Sequence, residues 1–133
     1  MAQLPITCSE ANCPFVRALL IQEEAARVGF DWTDISGVLE KVQEEVAELE
    51  TEIGANHRIH AAEELGDLFF TCLSVARFLK VDPVESFQNA TIRFEKRFDL
   101  MKKIAAERGL NLESCTAEEL NGYWERAKML MRQ

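Results

Sequence analysis

Between Ile35 and Ile53 the apolar residues fall at steps of three and four: Ile35, Val38, Leu39, Val42, Val46, Leu49 and Ile53. At about 3.6 residues per turn this spacing draws one stripe down a helix, and a strand, whose faces alternate every residue, cannot use it. Similar spacing recurs along the chain, broken by residues that start or stop helices. Pro14 stands where a proline opens a helix, and Gly29 is placed to end that helix. A short connector, residues 30–32, then carries two aromatics of exposed character, Phe30 and Trp32. Thr33 or Asp34 caps a second helix that Gly54 ends. A third runs from about His57 to Lys80 and is apolar over so much of its circumference that it is expected to be the most buried. Asp82, Pro83 and Glu85 form a capping-box start for a fourth, which Gly109 stops after about Arg108. Thr116 and Glu119 open a fifth, ending near Met131. No stretch reads as a strand and no repeat is present. The expected fold is all-α, an antiparallel bundle of about five helices, with residues 1–14 as an irregular arm and 15–133 as one domain.

Composition narrows the function. The 133 residues suffice for one core, and 47% apolar content argues against disorder. No apolar run approaches the roughly 18 residues of a membrane span, and no signal peptide is legible, so a cytoplasmic protein without membrane partners is expected. A net charge of −8 with no basic stripe disfavours nucleic acid. Of the four cysteines only Cys8 and Cys13 are near one another, and neither histidine is close to them, which disfavours zinc and a disulfide framework. Cys72, in an apolar helical stretch, reads as a small core residue.

Two pairs of carboxylates stand out: Glu45 with Glu48, and Glu64 with Asp67. At about 100° per residue, Glu45, Glu48 and Lys41 line one edge of the second helix's buried stripe, and Glu64 and Asp67 share a side of the third. Glu48 and Glu64 lie about 9 and 10 Å from the intervening turn, and Glu45 and Asp67 about 14 to 15 Å, so a hairpin sets both pairs at matching levels. Glutamate runs on helices are ordinarily solvated faces. Four acids at one level would instead repel strongly, or stay partly protonated, without a cation. An all-oxygen set suits a hard ion, magnesium or manganese.

In order along the chain, GFDW at 29–32, KVQEEVAEL at 41–49, EELGDLFF at 63–70, ARFLKVDP at 76–83 and FEKRF at 94–98 resemble the MazG family of all-α nucleoside triphosphate pyrophosphohydrolases, in particular the C-terminal, catalytic domain of its tandem members. The resemblance spans roughly residues 16–131. It implies hydrolysis of a nucleoside triphosphate between the α and β phosphates, with magnesium held by Glu45, Glu48, Glu64 and Asp67. Lys41, Arg97, Trp124 and Lys128, and the segment from His60 to Glu63, match positions around the nucleotide. Arg93 stands where the family usually has lysine, a planar fork in place of a point charge. The family also implies at least a homodimer.

On this reading Arg93, Arg97 and Lys128 offset phosphate charge, Glu44 or Glu45 takes a proton from the attacking water, and Trp124 or Phe30 stacks on the base. Two alternatives stay open: a relative restricted to dCTP, dUTP or phosphoribosyl-ATP, and a catalytically silent helical interaction module.

Overall fold

The computed structural model describes residues 13–132. Five α-helices and one 3-10 turn make up the described chain, without a strand: α1 Pro14–Arg27, α2 Ile35–Gly54, α3 Arg58–Leu79, α4 Pro83–Glu107, a 3-10 turn Leu112–Ser114, and α5 Ala117–Met131. None of these helices is long and apolar enough to cross a membrane. Of the arm expected over 1–14, residues 1–12, with Cys8, lie outside the described residues; Cys13 precedes α1, and Pro14 belongs to its first turn.

Local chemistry accounts for the boundaries. Asp34 rather than Thr33 caps α2, its Oδ1 accepting from Gly37 N at 3.0 Å. Asp82 Oδ1 accepts from Val84 N at 2.9 Å ahead of Pro83, the first residue of α4. Thr116 and Glu119 exchange both bonds of a capping box at the head of α5. Gly29 and Gly109, at φ 90° and 71°, take the left-handed conformation that turns the chain after α1 and α4.

The chain divides into two compact units, residues up to Ser86 and residues from Phe87 on, with the division inside α4. In the first, α2 and α3 pack along one another as an antiparallel hairpin across the turn at 55–57, and α1 packs on α3. Val16, Leu19, Val38, Leu73 and Ala76 are buried there. In the second, Met101, Ile104, Ala105, Tyr123 and Ala127 form the core, with Leu100, Leu112, Leu120 and Trp124 packed against it.

Two expectations are corrected here. α3 is less buried than its apolar circumference predicts: Leu65, Phe69, Phe70 and Leu79 are exposed, and its buried residues are Thr71, Leu73, Ser74 and Ala76. Cys72 is exposed as well, not a core residue. Within its unit α3 is covered by α1 and α2, and two neighbours cannot cover a helix that is apolar nearly all round.

The join between α1 and α3 is polar. Gln22 is buried on the α1 face that also carries Val16 and Leu19. Its Nε2 donates to Phe70 O at 2.9 Å, and its Oε1 accepts from Ser74 Oγ at 3.0 Å and Arg77 Nε at 2.9 Å. Arg77 donates two further bonds, at 3.0 and 2.8 Å, to the two oxygens of Asp31. That bidentate pair ties the connector before α2 to α3.

Candidate active site

The hairpin of α2 and α3 brings Glu45, Glu48 and Glu64 together, with one carboxylate oxygen of each within 4.8 Å of the others. Each takes its place from helix periodicity. Glu45 and Glu48 are three residues apart on α2, hence neighbours on its surface, and Glu64 meets them from α3. Asp67, one turn beyond Glu64, is exposed and outside this group; its backbone carbonyl accepts from Thr71 Oγ1 at 2.9 Å. The structure thus juxtaposes three of the four acids singled out in the sequence.

Burial separates their roles. Glu45 is only 4% exposed, Glu64 is half-buried and Glu48 is exposed. One oxygen of Glu45, Oε1, lies 3.1 Å from Lys41 Nζ. The other, Oε2, is buried without a hydrogen-bond partner, as is Oε2 of Glu64. A buried anionic oxygen with no donor is costly. Lys41 also reaches Glu44 Oε2 at 3.2 Å. Glu45 first, then Glu44, push the Lys41 ammonium up to about 12. The cluster raises Glu64 as well, where the shift favours the neutral rather than the charged form: the neighbouring Glu48 carboxylate, then desolvation, then Glu45, push its carboxyl up to about 7.

The donor set fits a hard divalent cation. All the converging atoms are carboxylate oxygens, Glu45 and Glu64 each have one buried oxygen without a protein donor, and the charges repel unless something positive lies between them.

His60 and Glu63 are not part of this group. His60 Nδ1 is 3.5 Å from Glu63 Oε2, both exposed on the first turns of α3, and the His60 ring stands 5.9 Å from that of His57. In the second unit Arg93 is exposed. Arg97 is half-buried, its guanidinium 5.5 Å from the Trp124 ring and its Nε buried without a partner. Lys128 Nζ lies 3.6 Å from Glu125 Oε1. Trp124, one of the two rings expected to stack on a base, packs against Phe94, whose ring centroid is 5.1 Å away, a neighbour the sequence reading did not name. Phe94 in turn stacks on Phe98 at 6.2 Å. The i, i+4 spacing of the two phenylalanines was the available signal.

The model of the MazG nucleotide pyrophosphohydrolase domain matches residues 34–102, a span that contains all four acids. Over 108 residues the chain is 44% identical to the nucleoside triphosphate pyrophosphohydrolase/pyrophosphatase MazG of Thermotoga maritima, covering 81% of this chain and 41% of that protein. It is 36% identical over 115 residues to a nucleoside triphosphate pyrophosphohydrolase of Escherichia coli K12, covering 85% and 44% respectively. A 74-residue stretch is 36% identical to the uncharacterized protein YabN of Bacillus subtilis. The chain therefore spans less than half the length of the first two relatives.

Proposed function

This chain belongs to the MazG nucleotide pyrophosphohydrolase family, and we propose that it hydrolyses nucleoside triphosphates between the α and β phosphates, with magnesium as cofactor. The observation that carries this reading is the convergence of Glu45, Glu48 and Glu64, with two buried oxygens that have no protein donor. Glu45, Glu48 and Glu64, with Asp67 one turn away, would hold the ion. Bound there, magnesium, or manganese in its place, would offset the charge of the carboxylates and of the phosphate oxygens.

The remaining chemistry belongs to side chains. Water forms a bond to the α phosphorus, the bond from that phosphorus to the bridging oxygen breaks, and pyrophosphate leaves with the electron pair. Glu45 or Glu44 takes the proton from the water: Glu45 has one oxygen held by Lys41 and one unengaged, and Glu44 is exposed beside the same lysine. Arg97, with a donor that lacks a protein acceptor, is suited to an anion, and Arg93 and Lys128 supply further positive charge in the same unit. The exposed apolar side chains of α3 support assembly into a homodimer or higher oligomer.

The test is a panel of NTPs and dNTPs, with dUTP, dCTP and phosphoribosyl-ATP, at fixed magnesium and with products identified. Monophosphate and pyrophosphate from several of them is the expected result. Orthophosphate as the sole inorganic product overturns the cleavage position, and turnover of one nucleotide alone overturns the broad substrate range.

A further inference from the structure

The acid cluster sits midway along α2: Glu45 is about 15 Å from Ile35 and about 14 Å from Gly54 by helical rise. One end of α2 is joined to α3 by the turn at 55–57, where His57 N donates to Glu52 O at 2.9 Å. The other end has no such join. We propose that the Asp31–Arg77 ion pair fastens that open end and so holds Glu45 and Glu48 at the level of Glu64. Arg77 lies about 20 Å along α3 from Glu64, so the two are positioning residues that act through the helices.

Apolar packing sets this register only loosely. Val38 and Glu45 are the buried residues of α2, while Leu39, Val46 and Ile53 of its apolar stripe are exposed. An exposed side chain has no groove to lock into. The cluster itself works against the hairpin. Glu45 and Glu48 on α2 meet Glu64 on α3 with oxygens within 4.8 Å of one another. Like charges at that spacing repel, and more strongly as water is excluded, which tends to part α2 from α3 where the acids meet.

The pair opposes this. The Arg77 side chain is only 8% exposed and is fixed on α3 before it meets Asp31. Its Nε donates at 2.9 Å to Gln22 Oε1, and Gln22 is itself bonded to Ser74 Oγ and Phe70 O. Its two other nitrogens donate to the two oxygens of Asp31 at 3.0 and 2.8 Å, and such a fork fixes plane as well as distance. From Asp31 the restraint passes into α2. The Trp32 ring stands 3.5 Å from where a Cβ on Gly37 would be, and Asp34 Oδ1 accepts from Gly37 N. Phe30 N, donating to Ala25 O at 2.9 Å, ties the same connector to the end of α1. Short contacts therefore run from α3 to the first turn of α2.

This geometry needs no ion; its consequence for magnesium rests on the function proposed above. The experiment is NMR of the full chain in EDTA, reading nuclear Overhauser contacts among the side chains of Glu45, Glu48 and Glu64, then calorimetric titration with magnesium alone. Wild type, Asp31→Asn and Val16→Ala are compared; Val16→Ala trims the buried face of α1 without touching the pair. Asp31→Asn is expected to lose the contacts among the acids, to keep those between His57 and Glu52 at the turn, and to bind magnesium about tenfold or more weakly. Val16→Ala should keep all three properties. Asp31→Asn/Arg77→Met should bind no more weakly than Arg77→Met, since the two residues act as one unit. Should Asp31→Asn not fold, Asp31→Glu, which keeps the charge and moves the carboxylate by one methylene, is read in the same way with a smaller loss. Acid contacts that depend on Asp31 in a chain that binds no magnesium support the positioning and sink the metal reading alone. Acid contacts absent from the wild type or unchanged in the Asp31 variants overturn the proposal. So do magnesium bound equally by wild type and Asp31→Asn, losses shared by Val16→Ala, and additive losses in the double variant.

Discussion

Lys41 Nζ lies 3.1 Å from Glu45 Oε1, one turn along the same helix, while the other oxygen of Glu45 is buried with no protein donor. One lysine therefore balances part of the acidic cluster, and among the described residues of this unit no other lysine or arginine forms an ion pair with it. Lys41→Met is expected to lower the melting temperature in EDTA by a few degrees, the size of shift that about 1 kcal/mol produces in a chain of this length. The deficit should shrink when magnesium is added, because the ion supplies the missing positive charge. Thermal denaturation of both proteins with and without magnesium checks this.

Glu64 carries the clearest pH signature. Its carboxyl is raised to about 7 in the fold from an ordinary 4.5, chiefly by Glu48. Between those values the folded chain holds a proton that the unfolded chain has lost, so stability in EDTA should fall as pH rises from 4.5 towards 7. Magnesium affinity should change in the opposite direction, climbing across the same window as the competing proton leaves and levelling above about 7. Glu64→Gln removes the titrating group and should flatten the first trend. Melting curves and magnesium calorimetry at several pH values measure both.

The Arg77–Asp31 pair belongs to the acid limb instead. Arg77 holds the Asp31 carboxyl below its ordinary 3.8. Its contribution is therefore present above that value and is lost as pH falls through the lower, folded one. Asp31→Asn should weaken the fold at neutral pH and lose less on acidification than the wild type. Arg77→Met also strips a donor from Gln22 and should cost about 2–3 kcal/mol in denaturant unfolding, since it removes hydrogen bonds to charged and buried partners.

At α5 the capping box can be tested apart from any chemistry. Thr116→Ala removes the acceptor for Glu119 N and should cost about 1 kcal/mol in urea unfolding. Glu119, held below its ordinary value chiefly by the Thr116 backbone N–H, keeps its own bond in this variant.

Which features were readable in the sequence follows from the range of the forces involved. Pro14, Gly29, Asp34, Gly54, Asp82, Pro83, Gly109 and Thr116 act within a turn or two of themselves, so local chemistry reveals the helix ends. The meeting of Glu45, Glu48 and Glu64 was legible because two regular helices joined by a short turn leave little freedom of register. The exposure of Leu65, Phe69, Phe70 and Cys72 was not, because an apolar circumference says nothing about how many neighbours cover it. The Asp31–Arg77 pair spans 46 residues and has no period to betray it. Gln22, a polar residue three positions after Leu19 on a buried face, was the visible trace of that network.

The central claim is that the acids joined by α2 and α3 carry pyrophosphohydrolysis. It is tested most directly by the initial rate of pyrophosphate release from a nucleoside triphosphate at saturating magnesium, in the wild type, Glu48→Gln and Asp67→Asn. Glu48 is exposed, so its replacement leaves the core intact. The expected result is pyrophosphate from the wild type and a fall of about a hundredfold or more in each variant, the scale of several kcal/mol of lost charge stabilisation. Undiminished release in both variants would contradict the account.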